Sequence, residues 1–228
     1  MAKIKWGALV VDGRNKVGGQ VLSKNRAGSY MRNKVTPVNP RSSYQSISRQ
    51  RLAGLASSWR GLTEPQRASW RSAVEDFKTT DIFGDIRIPS GFNLYQKLNN
   101  NLLQTEGALL TSPPVPQALA KIREVTADVT ALGVVKIAVG LDGLTNDQIV
   151  QVDATPPLSA GKNFVKSEFR RIALLEDSWG TSQPITAQYV DRFGNTFSKG
   201  MRIFFRVFVV HVVTGQSGVP QICTAIIN

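Results

Sequence analysis

The spacing of apolar positions changes twice along this 228-residue chain, and each change predicts a different kind of structure. Up to about Asn39 the pattern is short and strand-like. Val17–Lys24 and Ser29–Val35 read as strands joined through Asn25-Arg26-Ala27-Gly28, a β-hairpin. Asp12-Gly13 marks a turn before it, and Pro37 and Pro40 end the ladder because neither can donate a backbone hydrogen bond. From Ser42 to about Glu106 the period becomes helical. Leu52, Leu55, Ala56 and Trp59 share one face at i, i+3, i+4 and i+7, and Gly61 stops that helix. Thr63-Glu64-Pro65-Gln66 restarts the chain as a capping box, and Trp70, Ala73, Val74 and Phe77 repeat the stripe. So short a link predicts an αα-hairpin with Trp59 and Trp70 packed between the helices. A third helix is predicted from Ser90, burying Leu94, Leu98 and Leu102. The polar run Gln96–Asn101 belongs to its outer face. Between these helices, Ile82–Ile86 is predicted to anchor onto the helical hairpin as an apolar loop.

Beyond Thr111-Ser112-Pro113-Pro114-Val115-Pro116, a stiff extended linker, the period becomes two. Val125–Thr130, Val134–Leu141, Gln148–Ala154, Asn163–Ala173, Ile185–Asp191, Arg202–Val213 and Val219–Ile227 read as seven strands. Seven strands in just over a hundred residues predict a β-sandwich of immunoglobulin or fibronectin III-like type. Arg202–Val213 is apolar on both faces, as a central strand would be. The expected fold class is therefore α+β: an N-terminal basic β-hairpin and helical hairpin followed by a C-terminal sandwich. The expected domains are residues 1–111, a basic arm plus helical region, and residues 117–228, the sandwich.

Charge sharpens this picture. Met1–Phe77 holds fourteen Lys and Arg against Asp12, Glu64, Glu75 and Asp76, whereas Lys78–Asn228 holds fourteen against twelve acids. The formal excess of +12 is thus mostly an address on one region. No acid occurs between Arg14 and Val38. Arg14, Lys16, Lys24, Arg26, Tyr30, Arg32 and Lys34 are the candidate partner-binding residues, pointing to phosphate or to an acidic protein face. In one reading the cations contact nucleic acid and Tyr30 stacks on a base or sugar. In the other the hairpin adds to a neighbour's sheet or lies in its acidic groove. A single aromatic in the hairpin favours the protein partner. So few large apolar residues predict an arm that projects from its own subunit and is held by a neighbour.

Catalytic chemistry finds no comparable pattern, and the chain reads as a non-enzyme with no cofactor and no metal. His211 is the single histidine and lies inside an apolar strand, where a structural role is expected. Cys223 is the single cysteine, so no intramolecular disulfide and no cysteine-based zinc site can form, and one histidine leaves no His-based metal site within one chain. Gly13–Gly19 is glycine-rich but lacks the Gly-Lys-Ser/Thr ending of a phosphate loop, as does Ala160–Asn163. Adjacent pairs such as Glu75-Asp76 and Glu176-Asp177 diverge and read as solvated surface. The longest apolar run, Val207–Val213, is interrupted by His211 and is far shorter than the ~20 residues of a membrane span. With no signal-peptide pattern at the start, a soluble, intracellularly made protein is expected.

Gly13-Arg14-x-Lys16-x-Gly18-Gly19-x-Val21-x-Ser23-x-Asn25-Arg26-x-Gly28-x-Tyr30-x-Arg32, continuing to Val35-Thr36-Pro37-x-Asn39-Pro40, resembles an N-terminal signature of phage and prophage structural proteins. Trp59-Arg60-x-Leu62-Thr63-x-x-Gln66-Arg67-x-x-Trp70 and Ser90-Gly91-x-Asn93-Leu94-Tyr95 resemble the same family. The similarity covers roughly residues 13–115 and is to ring, collar or tail proteins of crAss-like podophages of Bacteroidetes. It implies a virion protein, made in the host cytoplasm, that forms a homo-oligomeric ring and touches neighbouring virion proteins. DNA in a lumen is a further implied partner, and a membrane is not. The competing readings are a packaged nucleic-acid-binding protein and a capsid decoration or cement protein.

Overall fold

A computed structural model of the chain describes residues 2–39, 41–81, 83–175 and 182–228. They form two compact units: residues 1–51 with 78–88, and residues 52–77 with 89–228. Among the described residues, no helix is long and apolar enough to cross a membrane.

The first unit is built on a four-stranded antiparallel sheet. Its strands are β1 (Ala2–Ile4), β2 (Asn15–Val17), β3 (Gln20–Asn25) and β4 (Gly28–Asn33), in the order β1-β4-β3-β2. The predicted hairpin is β3–β4, and Asn25 Oδ1 accepts from Ala27 N at 2.9 Å to hold its turn. The expected two-stranded arm is thus the middle of a larger sheet. Trp6 folds across Gly13, where a Cβ would lie 2.5 Å from the ring and 3.0 Å from Leu22. Glycine is required there because the loop backbone passes so close. Helix α1 (Ser43–Gly61) follows, then falls across the division between the units at 51/52. Its expected stripe is only partly covered: Leu55 is buried, but Leu52 is 48% exposed. Pro40 and Ile82 lie outside the described residues.

Three further helical segments open the second unit, and Tyr95 is their centre. These are α2 (Glu64–Ser72), a 3-10 turn (Ala73–Phe77) and α3 (Gly91–Gln104). Thr63 N donates to Gln66 Oε1 at 2.9 Å, the return bond of the predicted capping box. Ser90 Oγ caps α3 by accepting from Asn93 N, and Leu94, Leu98 and Leu102 are buried as expected. Trp59 and Trp70 were expected to pack between the first two helices. Each instead packs on Tyr95, with ring centroids 5.2 and 5.3 Å away. Trp70 Nε1 also donates to Thr111 O at 2.9 Å. Asn99, placed by pattern on an outer polar face, is fully buried. Its amide accepts from Leu110 N at 2.7 Å and donates to Tyr95 O at 3.1 Å, so the polar group is satisfied.

The remainder forms two packed antiparallel sheets. Strands β7 (Lys121–Val129) and β8 (Val135–Asp142) pair with the short β11 (Gln183–Pro184). The second sheet has the order β10 (Arg170–Leu175), β9 (Gln148–Ala154), β12 (Arg202–His211), β13 (Gln221–Ile226). Two short strands, β5 (Thr79–Thr80) and β6 (Ile86–Arg87), precede these in the chain and belong to the first unit. Val135, Ile137 and Val139 from one sheet meet Val150, Val152, Phe205, Val207 and Val209 from the other in a single core. At its end β7 pairs parallel with the chain terminus through Val129 and Ile227. Ile185–Asp191, expected as a strand, instead caps and opens helix α4 (Thr186–Phe193), with Ile185 at the N-cap. Ile185, Tyr189 and Phe193 recur every four residues, and Tyr189 packs on Phe193, Phe197 and Phe205. Of the expected fourth strand, Asn163–Ala173, only Arg170–Ala173 lies in a strand, which runs on to Leu175. Val165 and Phe169, before it, fold onto Phe204.

The division of compact units differs from the expected 1–111 and 117–228, because α3 is fastened to the sandwich. Asn101 Nδ2 donates to Gly215 O at 2.8 Å, and Arg171 Nη1 to Gln104 O at 2.6 Å. After the proline-rich stretch the chain is pinned as well. Gln117 N donates to Gln216 Oε1, and the buried Gln148 side chain bonds both Ala118 O and Ala120 N.

Candidate functional site

The register of the first unit's sheet decides which of its cations can act together. Side chains alternate between faces along a strand, and directly opposed residues share a face. Lys16 opposes Val21, and Val21 opposes Arg32, so these three form a row across β2, β3 and β4. Ser23 opposes Tyr30, and Tyr30 opposes Lys3, which makes the next row on the same face. Lys34 follows Arg32 by two residues, its N–H bonded to Gly19 O at 2.9 Å. Asn15, Leu22, Met31 and Ala2 form a row on the opposite face, where Ser29 and Ile4 also lie.

Of the seven residues singled out by sequence, four are therefore brought together: Lys16, Tyr30, Arg32 and Lys34. The other three are dispersed. Lys24 opposes Ser29 and shares the apolar face, and Arg26 sits at the hairpin turn. Arg14 precedes Asn15, whose φ of 75° breaks the alternation, and lies 3.4 Å from Asp12. Lys16, Lys24, Arg26, Arg32 and Lys34 make no ion pair among the described residues.

Sequence reasoning missed Lys3, which shares this face on β1, and Lys5 just beyond the strand; their spacing by two was the available signal. It also misplaced the 82–86 loop. Its described residues, 83–86, belong to the first unit, and Phe83 and Ile86 are exposed instead of buried against the helical hairpin. Its acids hold it. Asp81 accepts from Lys3 Nζ at 2.6 Å, and Asp85 from Lys5 Nζ at 3.1 Å, with Lys5 also 5.3 Å over the Phe83 ring. The Lys3 hydrogen bond, aided by the Phe83 and Asp85 backbone N–H groups, holds the Asp81 carboxyl below its ordinary value. One end of the face is thus neutralised, and the end bearing Lys16, Arg32 and Lys34 is open.

Exposed apolar groups form other surfaces. Leu9, Val10 and Val11 form an exposed apolar loop, with Leu9 fully exposed, and Tyr44 and Ile47 are exposed on α1. In the second unit the outer face of β13 presents Ile222 and Ile226, each about half exposed. The groups with reactive potential are engaged structurally. His211 is buried, and its Nδ1 accepts from Val213 N at 3.2 Å and Thr214 N at 3.4 Å. Burial pushes the Cys223 thiol up to about 11. Asp153 is buried under Arg206 and Gln151. No group of three His, Cys, Asp or Glu that could hold a metal ion occurs among the described residues, and Glu176 and Asp177 lie outside them. Compared with known proteins, the chain matches no family model, no curated protein and no solved structure.

Proposed function

We propose that this chain is a non-enzymatic virion structural protein of a phage, a ring-forming component of the portal–tail or collar assembly. The observation that carries the reading is the pair of unlike exposed surfaces on its two units. A closed ring is made by head-to-tail contacts, which need two different patches per subunit. The first unit offers the Leu9–Val11 loop and an open cationic face; the second offers the apolar outer face of β13. Apolar patches suit contacts between copies, since cations on both sides would repel. The cationic face addresses an acidic partner.

The sandwich supports the same reading as a rigid building block, and we read it as fibronectin III-like. Taking its strands in chain order as A to G, one sheet is A-B-E and the other D-C-F-G. That differs from the immunoglobulin constant arrangement only in the sheet joined by the fourth strand. The test is incorporation. Full-length tagged chain supplied during phage growth should be recovered in purified particles. Ile222→Lys with Ile226→Lys should stay folded and be excluded. Recovery of the unsubstituted chain only in the soluble lysate would overturn the proposal.

A further inference from the structure

Charge is divided very unequally between the two units. The first holds thirteen Lys and Arg against Asp12, Asp81 and Asp85; the second holds fifteen against thirteen acids. Asp81 and Asp85 are bonded to Lys3 and Lys5, so they leave Lys16, Arg32 and Lys34 uncompensated. A second copy supplies no net negative charge to meet them, since by the same count its two units carry +10 and +2. On the second unit Asp142 is paired with Arg123, Asp153 with Arg206, Glu168 with Lys162, and Glu64 with Arg67 and Arg71. The partner of this face is therefore a different, polyanionic molecule.

Two features separate nucleic acid from an acidic protein. Strand addition at the centre of the hairpin is pre-empted, because β3 is paired on both sides over Gln20–Leu22 and β4 over Ser29–Met31, and the edges of this sheet are the three-residue strands β1 and β2. The open face also lacks what a protein interface needs. Interface centres are depleted of charge and anchored by large apolar groups, whereas the centre of this face holds the half-buried Val21 between its cations, with Tyr30 in the next row as its one aromatic. We infer that the face of β2, β3 and β4 bearing Lys16, Arg32 and Lys34 binds the phosphodiester backbone of DNA without reading its sequence. This deepens the virion reading above and rests on it for where DNA is met.

The geometry suits a backbone. Lys16 and Arg32 stand two strand spacings apart, about 10 Å, and Arg32 and Lys34 about 7 Å apart along the chain. The charges therefore cover an area and can engage several phosphates at once. The Arg32 fork takes a phosphate bidentately, and the lysines act as point charges. Ser23 and Tyr30 in the next row add a hydroxyl donor and a ring edge beside the sugar.

The experiment uses the full chain and a labelled duplex of about 20 base pairs, read by fluorescence anisotropy. With the three cations of the face, about three phosphates are neutralised, so the slope of log K against log salt is about −2.7. Affinity then falls roughly fortyfold between 50 and 200 mM salt. Lys16→Glu with Arg32→Glu should weaken binding at least tenfold at 50 mM and flatten the slope by about two. Lys24→Glu with Arg26→Glu makes the same change in net charge off the face and should have a clearly smaller effect. No binding at 50 mM, equal losses for the two double variants, or competition by polyglutamate as strong as by unlabelled DNA would each overturn the inference. The last result would assign the face to an acidic protein. Particle incorporation is scored separately and does not depend on any of these outcomes.

Discussion

Replacing Gly215 with alanine is expected to cost far more than its one methyl group suggests. The residue lies in the turn after β12 with φ of 70°, and a Cβ there would collide with the Leu98 carbonyl oxygen. Leu98 C would be 2.8 Å away and Leu102 Cγ 3.1 Å away. Two costs follow. Holding an L-residue in the left-handed region costs about 1–2 kcal/mol. Relieving the overlap means moving α3 off the sandwich, an overpacking strain of about 1–3 kcal/mol. That movement also strains the 2.8 Å bond from Asn101 to Gly215 O, a further ~1 kcal/mol. The expected loss is roughly 3–6 kcal/mol. Gly143→Ala is the matched control, with φ of 71° and nothing within 4 Å of the added carbon. It should cost only the backbone share, about 1–2 kcal/mol. Urea denaturation of both variants, followed by tryptophan fluorescence, gives the comparison. Equal losses would show that α3 does not approach this turn, and the grouping of the helices with the sandwich would be wrong.

Trp70→Ala should destabilise by about 3–5 kcal/mol because the ring is fully buried. Trp59→Ala, on a half-buried ring, should cost clearly less in the same urea titration. Cys223 should react with a thiol reagent at pH 8 roughly a hundredfold more slowly in the native chain than in urea, since a value near 11 leaves about a hundredth of the usual thiolate. Asp81 titrates below the ordinary 3.8. Its lowered value means the Lys3 tie is fully present above about pH 4 and lost as pH falls through the lowered value. Hydrogen exchange at the Phe83 and Asp85 amides, both bonded to Asp81 Oδ1, should report that loss, and Asp81→Asn should remove the acid dependence.

How much of this was legible in the sequence depended on whether local pattern or distant contact decided the outcome. The capping box at Thr63, the Ser90 cap and the Leu94-Leu98-Leu102 stripe are local, and they formed as read. Leu52 belongs to the stripe by its spacing yet is half exposed, which periodicity cannot show. Ile185–Asp191 is rich in β-branched and aromatic residues, yet the four-residue spacing of Ile185, Tyr189 and Phe193 won through packing on Phe197 and Phe205. Asn99 looked like solvated surface because only the fold brings Leu110 to it. The candidate site was legible as a charged region but not as a face. Which cations share a side is set by the register of β2, β3 and β4, and Asp81 and Asp85 reach Lys3 and Lys5 from nearly eighty residues away.

Imaging intact particles at side-chain resolution tests the central claim most directly. The account predicts this chain repeated around the tail axis in a closed ring, with the outer face of β13 covered by a neighbouring copy. It also predicts Lys16, Arg32 and Lys34 turned toward nucleic acid. Particles that lack the chain, or that carry it as isolated copies with both surfaces open to solvent, would contradict it.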